Sequence, residues 1–379
     1  MILKQEDVFS TVRALLAVTS DSAPDRKSAE RTRDELSSLC DTLGIRTCGW
    51  DFYNIRTFNS ATYIGTGQVE RLAYLADENG CNLIVFNNGI SPRIQRNLEE
   101  ILGIAVVDRQ EIILQIFAER ATTREARLQV ELAQLQYSLP RLKRKWADLS
   151  QQRGGVKGAK GAGEKQLELD RRRAQERIVR LKREIADIAK SRDVQRRNRN
   201  QKNLTNIAIV GYTNSGKSSL LNRISDAGVL AEDKLFATLD PTTRRVHLPD
   251  GRTVLCTDTV GFVSDLPHEL VDAFKSTLEE AVLADVLLIV LDVSRADFMM
   301  CWETTRSVLD DLKAFEKPRL VVLNKMDLVT KETLFAVNSF CLSGERCIKL
   351  SVKEDPDMSV LLGEISKLLD ELPADGMVQ

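Results

Sequence analysis

A chain of 379 residues, 43% of them hydrophobic, carries enough apolar material for buried cores and, at roughly 100 to 200 residues per domain, enough length for two or three domains. No apolar run reaches the roughly 18 residues that cross a bilayer; the longest, Asp285-Val-Leu-Leu-Ile-Val-Leu-Asp292, has the length of a buried strand. The net charge of −1 conceals an asymmetry, because 21 of the 54 Lys/Arg but only 8 of the 55 Asp/Glu lie between Arg141 and Lys202, which leaves 33 basic and 47 acidic residues elsewhere.

Residues 1–121 alternate short apolar runs with amphipathic stretches. Val12–Val18, Ile45–Trp50, Leu83–Phe86 and Ala105–Val107 read as strands, with helices over Asp25–Leu43, Gln68–Asn79 and Pro92–Leu102. Pro92 suits a first helical turn. The alternation predicts a small parallel α/β subdomain. Within it, Tyr63-Ile-Gly-Thr-Gly-Gln-Val-Glu-Arg71 puts two glycines ahead of a helix, which fits a tight turn or an anion-holding loop.

A heptad pattern follows over residues 122–202. Leu128, Leu132, Leu135, Leu139, Leu142, Trp146 and Leu149 step by four and three, and Ala174, Ile178, Leu181, Ile185 and Ile188 do the same. Two such stripes predict a long antiparallel helical hairpin, with Pro140 kinking or splitting its first helix. The second helix, at about 35 residues, would reach roughly 50 Å. The expected tip, Arg153-Gly-Gly-Val-Lys-Gly-Ala-Lys-Gly-Ala-Gly-Glu-Lys165, holds five glycines and four cations in thirteen residues. Glycine allows close backbone approach and cations supply phosphate contacts, so Arg153, Lys157 and Lys160 are candidate RNA contacts; a flexible linker is the alternative. The basic block as a whole fits a polyanionic partner or a solvated helix face.

Residues 203–379 carry the strongest signal. Ile207-Ala-Ile-Val210 reads as a buried strand that runs into Gly211-Tyr-Thr-Asn-Ser-Gly-Lys-Ser218 and an apolar helix beginning at Ser219. This is GxxxxGKS in its strand–loop–helix setting. The backbone N–H groups from Gly211, Tyr212, Thr213, Asn214, Ser215 and Gly216 onward would converge on a β-phosphate at the positive end of the helix. Lys217 would bridge the β- and γ-phosphates, and Ser218 would offer its hydroxyl to Mg²⁺. Val254-Leu-Cys-Thr-Asp-Thr-Val-Gly261 ends a strand in DxxG, where Asp258 can hold Mg²⁺ through water and the Gly261 N–H can sense a γ-phosphate. Arg319-Leu-Val-Val-Leu-Asn-Lys-Met-Asp327 ends a strand in NKxD, so Asn324, Lys325 and Asp327 form a base pocket. A carboxylate there accepts from guanine N1 and N2 together, whereas adenine would leave a buried acceptor unpaired. Leu350-Ser-Val-Lys353 then supplies a backbone N–H for guanine O6 from among Ser351, Val352 and Lys353. Four such elements in order predict a GTP pocket in a Ras-like P-loop domain.

Seven cysteines, Cys40, Cys48, Cys81, Cys256, Cys301, Cys341 and Cys347, form no CxxC pair, and His247 and His268 are the only imidazoles, so reduced thiols are expected rather than a zinc site. The N-terminus has no signal-peptide pattern, and the expected location is the cytoplasm.

The chain resembles the HflX family of ribosome-associated GTPases. The resemblance rests on Phe236-Ala-Thr-Leu-Asp-Pro-Thr-Thr-Arg244 and Asp258-Thr-Val-Gly-Phe262 in the G domain. Outside it, the resemblance rests on Gln129-Val-Glu-Leu-Ala-Gln-Leu135, the Arg-Gly-Gly loop, Gln166-Leu-Glu-Leu-Asp-Arg-Arg-Arg173, Ser91-Pro92 with Gln95-Arg-Asn-Leu98, and Val107-Asp-Arg109. It implies an N-terminal α/β subdomain, a long helical hairpin and a Ras-like G domain in a monomer. It also implies GTP hydrolysis to GDP on the 50S subunit, and in some members GTP-dependent splitting of 70S ribosomes, with the loop reaching rRNA. Thr238 aligns with the switch threonine that ligates Mg²⁺ and closes on the γ-phosphate, Thr242 being the second candidate. Asn214 looks like the asparagine that helps hold K⁺ in potassium-activated relatives; a plain turn role is the alternative. Phe262 stands where Ras-like proteins often carry a water-orienting glutamine, so hydrolysis by the free protein is expected to be slow. The family loop often has proline where this chain has Ala162, and many members carry a further C-terminal domain, whereas this sequence stops at Gln379 soon after the predicted helix Met358–Leu372.

Two other functions compete with a ribosome-remodelling GTPase. A GTP-dependent switch that recruits a protein partner away from the ribosome is disfavoured by the basic arm, and an ATP-driven RNA remodeller is disfavoured by Asn-Lys-Met-Asp327.

Overall fold

Runs rich in Val, Ile and Leu form two largely parallel sheets in the computed structural model of the chain, which describes residues 11–21, 26–152, 160–200, 204–225, 235–263, 275–355 and 357–372. The chain divides into two compact units. One takes the described residues within 1–119 and 133–179, and the other those within 120–132 and 180–379.

In the first unit, β1 (Arg13–Ser20), β2 (Arg46–Asn54), β3 (Leu83–Phe86) and β4 (Ala105–Asp108) pair in the order β2-β1-β3-β4, all parallel. The helices α1 (Arg26–Thr42), α2 (Thr66–Glu78) and α3 (Pro92–Leu102) connect them, as the alternating sequence predicts. Ser91 caps α3 by accepting from the Ile94 N–H, and Pro92 occupies the first turn. At the Gly65/Gly67 segment Gly65 is the N-cap of α2, and Gly67 already lies inside the helix. One helix lacks a sequence signature, α4 (Arg109–Arg120). Its residues Ile112, Ile113, Leu114, Ile116 and Phe117 are all buried, and burial on nearly every side erases the amphipathic period.

Two long helices follow, α5 (Arg124–Gln152) and α6 (Lys160–Asn200). Pro140 does not split α5; it sits inside one continuous helix, since proline removes a single i→i−4 bond and the bonds on either side remain. The second helix is longer than the stripe indicates, 41 residues, because it starts at Lys160, within the segment expected as loop. Arg153 and Lys157 lie outside the described residues, and Lys160 is the first residue of α6.

Within the first unit α5 is held by a buried carboxylate. Asp108, 1% exposed at the end of β4, accepts from the Ile90 N–H at 3.2 Å, the Glu111 N–H at 3.0 Å, the Tyr137 hydroxyl at 2.9 Å and the Arg141 guanidinium at 3.2 Å. The same guanidinium stacks on the Tyr137 ring at 3.5 Å and donates to the Gln95 side chain and the Ile90 carbonyl. Burial, with Asp108 beside it, pushes the Glu111 carboxyl up.

The second unit is built on a six-stranded sheet, β5 (Asn206–Val210), β6 (Thr242–His247), β7 (Thr253–Asp258), β8 (Val286–Asp292), β9 (Arg319–Asn324) and β10 (Cys347–Lys349), in the order β10-β9-β8-β5-β7-β6. Only β6 runs antiparallel to its neighbour. The helices α7 (Lys217–Ser225), α8 (Lys275–Leu283), α9 (Phe298–Asp311), α10 (Lys331–Cys341) and α11 (Ser359–Asp370) accompany it. Leu220 and Leu221 of α7 and Leu361 and Ile365 of α11 pack with Ile207, Val290 and Val322 in its core. This places the ends of β5, β7 and β9, and the chain beyond β10, at the carboxyl edge of one sheet, where open α/β folds bind ligands.

Removing the Arg141 charge leaves Asp108 buried without its cation, which costs about 3 kcal/mol by the usual penalty for breaking a buried pair. Arg141→Met is therefore expected to lower the unfolding midpoint of the protein in denaturant while the slope stays the same. An unchanged midpoint would mean that the Asp108 network contributes nothing.

Candidate nucleotide-binding site

β5 ends at Val210, the loop Gly211–Gly216 turns over its edge, and α7 starts at Lys217. The turn has a geometric reason for its glycines. Gly216 has φ 98°, and a Cβ there would lie 2.3 Å from Asn324 Nδ2. Asn214 sits at φ 60°, a left-handed conformation that asparagine tolerates and that fits the turn role given as the alternative to holding K⁺. Lys217 is 6% exposed, and its ammonium donates to the Gly211 and Tyr212 carbonyls at 3.2 and 2.8 Å. Burial pushes its pKa down to about 8, against the pull of Asp258. A cation held in this way by its own loop is poised to exchange carbonyl partners for phosphate oxygens.

Asp258, the last residue of β7, has no solvent exposure. Its Oδ2 accepts from the Ser218 hydroxyl at 2.6 Å and the Thr238 hydroxyl at 2.8 Å, and those two hydroxyls are 2.7 Å apart. Its Oδ1 is buried and has no hydrogen-bond partner in the structure. Burial pushes this carboxyl up, opposed by Lys217 and the two hydroxyls. Three oxygens around one point, one of them on a carboxylate whose other oxygen has no partner, fit a small hard cation with water in its remaining positions. Of the two candidate threonines, Thr238 is the one that reaches Ser218 and Asp258; Thr242 starts β6 opposite Asp258 in register.

Gly261 lies against the phosphate loop so closely that a Cβ would be 2.5 Å from Thr213 Cα and 2.9 Å from Lys217 Nζ. Backbone bonds fasten the two segments together: Phe262 N–H donates to the Gly211 carbonyl at 3.0 Å, and Thr213 N–H donates to the Phe262 carbonyl at 2.7 Å. Phe262 itself is 4% exposed and packed, so its side chain is structural and cannot orient a water. Thr213, Gly216, Lys217, Ser218, Ser219, Thr238 and Gly261 line one cavity.

Asn324, 2% exposed, joins the end of β9 to the loop Gly211–Gly216. Its Nδ2 donates to the Ser215 carbonyl at 2.8 Å, and its Oδ1 accepts from the Val352 N–H at 3.0 Å. Lys325, at φ 62°, donates to the Asn214 carbonyl at 3.1 Å and pairs with Asp292 at 2.8 Å. Sequence reasoning missed Asp292, though its place at the end of a buried run beside Asn324 was the available signal. Asp327 is exposed; its Oδ1 accepts from the Ser351 hydroxyl at 2.6 Å, which fixes the carboxylate's rotation. The Ser351 N–H donates to Asp355, another residue the motifs did not indicate, and Lys353 follows in the same turn.

Comparison with known proteins identifies the family and the fold. Residues 30–118 match the family described as GTP-binding GTPase N-terminal, 120–199 the GTP-binding GTPase middle region, and 206–325 the 50S ribosome-binding GTPase family. The chain is 51% identical to GTPase HflX of Treponema denticola over 324 residues, 83% of each chain. It is 45% identical to GTPase HflX of Akkermansia muciniphila over 368 residues, 94% of this chain and 84% of that one. Among solved structures, the crystal structure of an SsGBP and GDP complex aligns over 94% of this chain and 98% of its own, with a TM-score of 0.51 and 25% identity.

If Asp327 selects the base, Asp327→Asn exchanges an acceptor for an amide and inverts the preference toward xanthine nucleotides. GTP affinity is expected to fall by roughly a hundredfold or more, with XTP bound better than GTP in competitive titration. Unchanged GTP affinity would remove Asp327 from the pocket.

Proposed function

The chain belongs to the GTPase HflX family, and from that premise we propose that its GTP cycle works on the large ribosomal subunit, remodelling or dissociating ribosomes in the cytoplasm. That it is a GTPase follows from the family. The observation that carries the ribosomal reading is the union, in one chain, of a G domain matching the 50S ribosome-binding GTPase family and a block over residues 141–202 with 21 basic against 8 acidic residues. Polyphosphate backbones are the partner that such a block selects, by release of their counterions.

In the proposed cycle Lys217 holds the β- and γ-phosphates, and the Gly261 N–H meets the γ-phosphate. Ser218, Thr238 and Asp258 would hold Mg²⁺, which would neutralise charge developing on the phosphates. Thr238 belongs to the segment that closes on GTP and loosens after hydrolysis. With Phe262 packed, no described residue of the DxxG turn orients water, and in this reading the ribosome completes the site. Arg153, Lys157 and Lys160 are the proposed rRNA contacts; with no aromatic residue in that stretch, phosphate tracking takes the place of base stacking. Among the described residues no helix is long and apolar enough to cross a membrane.

Sedimentation with 50S subunits in the presence of a non-hydrolysable GTP analogue tests this reading. The protein is expected to pellet with 50S subunits, and they are expected to accelerate its single-turnover hydrolysis by about two orders of magnitude or more. Replacing Arg153, Lys157 and Lys160 together with alanine should weaken 50S binding and flatten its logarithmic salt dependence by about 2, at roughly 0.7 for each phosphate no longer neutralised. GTP affinity should be unchanged. Equal 50S binding by variant and parent would place the RNA contact elsewhere, and failure of the parent to bind would favour a switch that recruits a protein.

A further inference from the structure

The segment that carries Thr238 is held at a second point, outside the nucleotide cavity. Asp240 Oδ2 accepts from the Thr122 N–H at 3.0 Å, the Thr122 hydroxyl at 2.6 Å and the Thr123 N–H at 3.1 Å, and its Oδ1 accepts from the Thr123 hydroxyl at 2.5 Å. Thr123 is at the same time the N-cap of α5. Its hydroxyl oxygen accepts from the Ala126 N–H at 3.1 Å, and its carbonyl accepts from the Arg127 N–H at 3.1 Å. One hydroxyl can do both, because it has a single donor and two lone pairs. The carboxylate therefore sits at the positive end of a 29-residue helix, on two N–H groups and two hydroxyls. Burial alone would raise the Asp240 carboxyl, but these four bonds hold it below its ordinary value.

The distance along the chain from this grip to the cation site is two residues. Thr238 lies on Ser218 and Asp258, Leu239 is 3% exposed, and Asp240 is on Thr122 and Thr123. On the other side, Phe236 is held at φ 55° with its side chain buried and its N–H donating to Thr213 Oγ1 at 2.8 Å. A bulky residue in that region persists only where its surroundings impose it. Pro241 follows directly and restricts the backbone of Asp240 to extended conformations. The segment 236–240 is thus pinned at three points, and only the Asp240 point lies outside the phosphate-binding machinery. Neither Thr122 nor Thr123 belongs to the four nucleotide-pocket motifs between Gly211 and Lys353.

We propose that Asp240 is a positioning residue for GTP hydrolysis, which holds Thr238 in place by gripping Thr122 and Thr123 and so ties the switch segment to the first turn of α5. This rests on the reading of Thr238 as the threonine that closes on the γ-phosphate. The tie works in both directions, as any coupling between two equilibria must. Closure of the segment on GTP tightens the cap of α5, and displacement of the cap loosens Thr238.

The test combines Asp240→Ala, Thr122→Val, their double variant, Thr122→Ser and Thr238→Ala in the full chain. Thr122→Val keeps the shape and leaves the Thr123 cap in place, so it reports on the tie even if Asp240→Ala perturbs folding. Each is measured for GDP affinity, single-turnover GTP hydrolysis, and hydrogen exchange of the amides at 122–127 with GDP and with a non-hydrolysable GTP analogue. Asp240→Ala is expected to slow hydrolysis about tenfold and Thr122→Val about threefold, with GDP affinity within about twofold of the parent. The double variant should be no slower than Asp240→Ala, because both remove one interaction. Thr122→Ser should keep the parental rate. The analogue should slow exchange at 122–127 in the parent and leave it unchanged in Asp240→Ala and Thr238→Ala. A parental rate in Asp240→Ala beside a slow Thr238→Ala overturns the tie alone. A parental rate in both overturns the assignment of Thr238. Additive losses, or an equal loss of GDP affinity, would reduce Asp240 to a helix cap.

Discussion

A carboxylate shut away from solvent at the end of β7 is the point on which the nucleotide-binding unit depends. Asp258 gathers the first-turn hydroxyl of α7 and the hydroxyl of Thr238 onto one oxygen and keeps the other without a partner. A buried charge in that state costs several kcal/mol unless something of opposite sign meets it. Lys217, itself buried and pushed down to about 8, supplies part of that compensation across the cavity. On the proposed function, Mg²⁺ would supply the rest, and the anionic phosphates would meet Lys217 rather than Asp258.

Placing Asp258 there is the work of the sheet. β5 pairs in parallel with β7 on one side and β8 on the other, so the chain leaves each strand at the same edge. Buried apolar packing beneath, from Ile207 and Leu220 through Val290 to Ile365, fixes those exits without contributing any chemistry. Two connections then lock the loops to one another. Phe262 zips the DxxG turn to the phosphate loop, and Asn324 bridges that loop to the turn at Val352. Asp240 extends the locking beyond the pocket to the cap of α5.

What could be read in the sequence was local or periodic. The apolar runs located β1 to β4, β5, β7, β8 and β9 to within a few residues but not β6, and spaced motifs located Lys217, Asp258 and Asn324, because each motif encodes a turn at a strand end. Helix α4 escaped because burial all round removes its period, and the true start of α6 at Lys160 escaped because glycines there read as loop. The partners that were missed share one property: Asp292 with Lys325, Asp355 with the Ser351 N–H, and Asp240 with Thr122 all depend on where an ordinary aspartate falls in three dimensions. The Asp240 contact joins residues 118 positions apart, and no spacing rule reaches so far.

The most direct measurement is the Mg²⁺ dependence of binding to a non-hydrolysable GTP analogue, in the parent and in Asp258→Asn, an isosteric change that keeps an acceptor for Ser218 and Thr238 but removes the charge. Affinity of the parent is expected to rise steeply with Mg²⁺, and the variant should lose most of that rise while remaining folded. Superimposable Mg²⁺ curves for the two proteins would contradict the central place given to Asp258.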